Sequence, residues 1–291
     1  MTATSLSADA RRAPGPRWLR ALRRHPTLYL GVAILALLAI VALAAPWLAP
    51  YDPQEIDPLA RMKPPSMEHF FGTDALGRDV YSRTLWGARV SLLVGIAVAL
   101  VATAIGVLLG MLAGYFRRVD ALIMRFMDGL MAIPGVLLAI ALMATLKGGL
   151  GTVIVAIIIP EVPRVVRLVR ALVLTLREQP YIEAAVASGT RVPAILWRHI
   201  LPNLFAPLMV QATFIAASAI LTEAVLSFLG VGIPPQIPSW GNIMAEGRNY
   251  VAVAFHIILY PGLFLGAAVL AVNLVGDGLR DMLDPRLARK L

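Results

Sequence analysis

Residues 181–202, YIEAAVASGTRVPAILWRHILP, set a short polar island between long apolar runs. Arg177 and Glu178 precede it, and Pro180 suits the first turn of a helix, where a missing N–H costs nothing. Glu183 then falls near the positive end of that helix. Ala184, Ala185 and Ala187 leave a surface of small side chains that a groove can approach closely. Gly189 permits the turn that ends the helix. Pro193 can start a second helix, and Pro202 is expected to close the hairpin before the next apolar run. The island therefore reads as a helix–turn–helix outside the apolar segments.

Outward from the island the chain is strongly apolar. Of its 291 residues 59% are hydrophobic and 15% charged, against about 45–50% and about 25% in soluble domains. With a mean hydropathy of +0.77, this predicts an all-α, polytopic membrane protein. A span needs about 20 apolar residues, and six stretches qualify: 27–49, 88–115, 122–146, 150–172, 203–230 and 253–276. The first follows six arginines, Arg11 to Arg24, but exceeds the roughly 7–15 residues of a signal-peptide core, so it reads as a retained anchor. The expected organisation is a tail at 1–26, an anchor with an outer loop at 27–87, a core at 88–278 carrying the polar loop at 177–203, and a tail at 279–291.

Charge sets the orientation. Arg117 and Arg118, Arg177, Arg191 and Arg198, and Arg280, Arg286, Arg289 and Lys290 fall on the same side as the N-terminal arginines. The opposite side mixes Arg61, Lys63, Arg78, Arg83, Lys147 and Arg248 with seven acidic residues, Asp52 to Glu246. The positive-inside rule then puts both termini and the 181–202 island in the cytoplasm. The net charge of +9 is explained in the same way, because the bases flank apolar runs rather than covering a soluble surface for nucleic acid. The chain has no cysteine, and its four scattered histidines show no metal-binding spacing. Gly72 to Asp79, GTDALGRD, imitates the glycines of a phosphate loop, but Arg78-Asp79 stands where Lys and Ser/Thr are required. No nucleotide site and no cofactor is expected on this chain.

The outer stretches are proline-rich. The loop at 50–87 ends in a segment, 72–87, expected to form an interfacial helix with Val80, Tyr81 and Trp86 at headgroup level. The second loop, VGIPPQIPSWGN at 231–242, is stiffened by three prolines. Either loop could meet an external partner or simply cover the spans. Gly106, Gly110 and Gly114, and again Gly262 and Gly266, recur every four residues, as expected for close helix packing within the chain or against a partner.

The island also resembles the EAA loop of ABC-importer permeases: Glu183-Ala184-Ala185, Gly189, then Ile200-Leu201-Pro202, with His199 departing from the usual apolar position. APWLAPYDP (45–53), HFFGTDALGRDVYSR (69–83), LSFLGVGIPP (226–235), PSWGNIMAEGRNY (238–250) and NLVGDGLRDMLDPRL (273–287) are similar to the second permease of dipeptide and oligopeptide importers. The resemblance covers about residues 27 to 287. It implies a type I importer permease fold in the inner membrane, with Glu183, Ala184, Ala185, Gly189, Ile200, Leu201 and Pro202 coupling to an ATPase. It also implies a homologous second permease, two ATPase subunits that carry ATP and Mg²⁺, an extracytoplasmic solute-binding protein and a peptide-like solute. Nickel chelates, glutathione-like peptides, opines and sugars stay open.

Ionisable residues inside spans are costly and tend to face water or protein. Asp128, Glu161, Arg164 and Glu223 are the candidates for a translocation path, with Arg167 nearby. Glu161 and Arg164 stand one helical turn apart, so they either line the path, with Glu161 sensing a charged peptide terminus, or pair structurally. The spans carry no HExxH, GxSxG or paired aspartates for a membrane enzyme. Nor does an inverted repeat suggest a self-contained secondary transporter.

Overall fold

A computed structural model describes residues 26–146 and 148–283. The expected tails, with their arginines and Lys290, lie largely outside the described residues, as does Lys147. The described residues form helices and irregular connections, with one isolated bridge between Thr73 and Asp79.

Helix α1 covers Pro26–Leu48 and α2 covers Val80–Tyr115. Helices α3 (Arg117–Met131) and α4 (Gly135–Thr145) follow, then α5 (Leu150–Arg177) and α6 (Pro180–Ala187). Helix α7 runs through Val192–Phe228, α8 is Trp240–Gly247 and α9 is His256–Leu283. By length and composition α1, α2, α7 and α9 can each cross a membrane, and α3 with α4 passes as a bent pair. Helix α5 is long enough to cross but carries Glu161, Arg164, Arg167 and Arg170 along its length.

The single third span expected over 122–146 is broken. Pro134 removes a backbone donor and disfavours helical geometry at Ile133, and α3 and α4 meet at 88°. In α5, by contrast, Pro160 and Pro163 are accommodated without a break.

The glycine stripe of α2 packs inside the chain. A Cβ added to Gly110 would lie 2.6 Å from Val169 Cβ and one on Gly114 2.6 Å from Val173 Cβ, while Val165 crowds Gly106 in the same way. Glycines every four residues thus seat valines every four residues, bringing two backbones together. Gly266 faces open space, so the corresponding glycine of α9 makes no such contact.

The interfacial helix expected at 72–87 is absent as a separate element. Residues 72–79 are a loop, and α2 starts at Val80 because the Asp79 side chain accepts a hydrogen bond from Ser82 N–H. Val80, Ser82, Arg83 and Thr84 are buried against α8 and its neighbours rather than lying at a lipid surface. Gly72 and Gly77 have φ of +73° and +83°, conformations the tight turn demands. Asp74 accepts from Leu76 N and Arg78 N and pairs with the Arg78 guanidinium at 2.7 Å. Arg78 and Arg83 both reach Glu246 on α8, with Arg83 at 3.1 Å. Burial pushes the Glu246 carboxyl above its ordinary pKa, and the Arg83 and Arg78 charges pull it back. The false phosphate loop is therefore a buried ionic clamp between the start of α2 and α8.

The second outer loop also turns inward. Ser239 caps α8 in a reciprocal capping box with Asn242. Trp240 is fully buried, its indole N–H donating to Thr84 O at 3.1 Å.

Candidate functional site: a hairpin and a charged helix face

Two groups of residues have chemistry that the packing alone does not consume. The first is the hairpin. Gln179 precedes α6, Pro180 opens it and Glu183 occupies its first turn. Gly189, at φ +76°, ends it: Gly189 N–H donates to Val186 O and Thr190 N–H to Ala185 O. This is a Schellman closure, which needs a residue free to adopt the left-handed conformation. Ile182 is buried and anchors α6, while Glu183, Ala184, Val186 and Ala187 are exposed and Ala185 is half-buried. Across the turn Ile195, Leu196 and Ile200 are buried, whereas Tyr181 and Trp197 are exposed, Trp197 by 64%. The hairpin thus presents an alanine-rich face flanked by two aromatics.

Pro202 does not close the hairpin. Helix α7 passes through it, because residues Leu196–Ile200 form one π turn in which Leu201 N–H donates to Leu196 O. The wider turn takes up the missing Pro202 donor, and the helix continues without interruption to Phe228. Ile200 is buried and Leu201 half-buried, so they hold α7 in the bundle, while Pro202 is exposed.

The second group lies on α5. Arg164, Arg167 and Arg170 follow one another at intervals of three, and each has its own carboxylate. Arg164 Nη1 sits 3.2 Å from both oxygens of Glu161. Arg167 Nη2 donates to Asp128 of α3 at 2.6 Å. Arg170 pairs through two donors with Asp120, also on α3. This ladder ties the first half of the broken span to α5. Glu161 is buried and also accepts from Ser218 Oγ of α7 at 3.1 Å. The Arg164 side chain is 56% exposed, and Arg167 and Asp128 are 45% and 57% exposed.

Glu223 belongs to neither group. It is completely buried on α7 and accepts from Ser227 and Ser239 at 2.8 Å each, with Ser91 of α2 at 3.5 Å. Three hydroxyls satisfy it, joining α2, α7 and the start of α8, so it does not share the open face that carries Arg164. Sequence reasoning missed the serines 91, 218 and 239, which carry no pattern of their own. It also missed the ladder, although the three-residue arginine spacing was visible.

Comparison with known proteins gives the same outline. Residues 106–289 match the family described as binding-protein-dependent transport system inner membrane component. Residues 14–65 match the N-terminal TM domain of oligopeptide transport permease C. The chain is 54% identical over 287 residues to a probable peptide ABC transporter permease of Sinorhizobium fredii, covering 99% of this chain and 98% of that one. It is 44% identical over 264 residues to a di/tripeptide transport system permease of Pseudomonas aeruginosa, covering 88% and 87%. It is also 44% identical over 272 residues to a glutathione transport system permease of Pectobacterium atrosepticum, covering 93% and 90%. The all-helical bundle, its apolar spans and these matches agree: the chain belongs to the family of binding-protein-dependent transport system inner-membrane components, the permease subunits of ABC importers.

Proposed function

We propose that this permease imports short peptides as half of a translocation channel, and that it receives its energy through the 180–202 hairpin. In this reading the chain crosses the membrane six times with both termini in the cytoplasm. It counts α3–α4 as one broken span and α5 as another. A homologous permease completes the channel, two ATPase subunits carry the ATP and Mg²⁺, and an external binding protein delivers the solute.

The observation that carries the reading is the hairpin's exposed face. Ala184, Val186 and Ala187 stand clear of the bundle next to Tyr181 and Trp197, while a Schellman turn and the buried Ile182 fix the backbone. An apolar face on a rigid support fits a protein partner better than it fits water. Closure of the ATPases on ATP would displace α6, and the unbroken α7 would carry that displacement into the bundle beside Glu161 and Ser218. Peptide is the leading solute because relatives over nearly the whole chain are named for peptide transport. Glutathione, itself a peptide, is the second reading on the same ground.

The test is co-purification of the tagged chain under gentle extraction, with stoichiometric partners identified by mass spectrometry. A second permease and two ATPase copies are expected. A chain recovered alone, or as a homo-oligomer without an ATPase, would overturn coupling through the hairpin.

A further inference from the structure

Arg164 stands fourteen residues from Leu150 and thirteen from Arg177 on α5. At about 1.5 Å per residue that is about 20 Å from either end, which is mid-depth for a helix spanning a hydrocarbon core about 30 Å thick. An arginine more than half exposed at that depth cannot face lipid, so the surface carrying it faces water or protein. Arg167 and Asp128, about half exposed one turn away, extend the same surface.

Of the ionisable groups here, Glu161 has little left to offer a ligand. It is buried, and its oxygens already accept from Arg164 and Ser218. Arg164 is the reverse case. Only Nη1 is engaged, and Nε–H and the Nη2 donors have no partner among the described residues. A guanidinium held at one corner by a buried carboxylate, with its remaining donors in the open, is shaped to receive a second carboxylate in a forked pair.

We infer that Arg164 is the specificity-determining residue of the path and that it engages a free carboxylate of the solute, the C-terminus of a peptide, with Glu161 and Ser218 as its positioning residues. This rests on the reading of the chain as a peptide permease whose path runs along α5. The interaction is reversible: the solute carboxylate accepts from the free donors and leaves without displacing Glu161. Ser218 lies on α7, so movement of that helix relative to α5 shifts the support beneath Arg164 and can weaken the grip as the path opens.

The experiment is uptake by cells carrying the complete importer with its own binding protein. The paired probes are the dipeptide Ala-Ala and its C-terminal amide. The binding protein is unchanged by a permease substitution, so a changed acid-to-amide ratio originates in the permease. Arg164→Gln should lower uptake of the free acid at least about ten-fold, the scale of one charge-assisted hydrogen-bond pair, while amide uptake stays within about two-fold. Arg164→Lys should recover part of the acid uptake. Ser218→Ala should raise KM for the acid with little change in kcat. Equal losses on both probes with normal membrane levels, or no change in the ratio, would overturn the assignment to Arg164. If the unaltered importer takes up neither probe nor glutathione, the peptide reading itself fails, and this inference with it.

Discussion

The two ends of α7 follow opposite rules. At the far end Glu223 is sealed among three serines, and beside it the Arg78–Arg83–Asp74–Glu246 clamp locks α2 to α8. Every strong polar group there, except Arg83 Nε, has a partner within the chain. At the hairpin end Tyr181, Val186 and Trp197 are exposed, and the polar side chains of Ser188 and Asn203 bond only locally, to Ala184 O, His199 O and the Tyr181 hydroxyl. The difference separates scaffold from interface. Buried charge that is satisfied internally ties one region together, whereas the other keeps exposed apolar surface on a fixed backbone, the face on which the proposed coupling rests.

The largest effect should come from the clamp. Arg83→Met leaves Glu246 and Asp74 short of a buried cation, and breaking one side of such a network costs about 3–5 kcal/mol. The expected outcome is a collapse in folded, membrane-inserted protein, read by detergent melting and by yield. Next comes the α2–α5 seam. Gly110→Leu pushes against Val169 and should cost about 1–3 kcal/mol by overpacking, seen as a lower melting temperature, whereas Gly266→Leu, with open space around it, should leave melting nearly unchanged. A smaller cost, about 1–2 kcal/mol, is expected for Gly189→Ala, since its φ of +76° strains any other L residue. That cost should be confined to the hairpin, so ATPase capture weakens while bundle melting holds. Smallest in stability is Trp197→Ala, expected within about 0.5 kcal/mol, with its effect appearing in partner recovery. Should Trp197→Ala lower melting as much as Arg83→Met, the division into scaffold and interface would be wrong.

Much of the architecture was legible because span length and helix caps are local properties. Five of the six expected apolar stretches correspond to single helices, and Pro180, Glu183 and Gly189 occupy the positions their chemistry favours. The failures share a cause. Pro134 and Pro202 carry the same local signal, yet one breaks a helix and the other is absorbed by a π turn, because only the second is held on both sides by the buried Ile200 and Leu204. Residues 72–87 looked amphipathic and lipid-seeking, but Arg83 and Val80 are claimed by partners more than 150 residues away. For the site, charge at mid-span marked Glu161 and Arg164, while the role of Ser218 depended on a tertiary contact that no sequence spacing encodes. Glu223 carried the same mark but is buried among three serine hydroxyls that no sequence spacing announces.

The π turn at Leu196–Ile200 has one further consequence. A π turn is in effect one extra residue accommodated within a helix, and each residue rotates an α-helix by about 100°. It therefore fixes the azimuth at which the hairpin's alanine face looks out relative to the charged face of α5. Each residue added or removed there would turn the hairpin's alanine face about a quarter of the way around the axis relative to the bundle. The angular register between the hairpin and the charged face of α5 is thus concentrated in five residues.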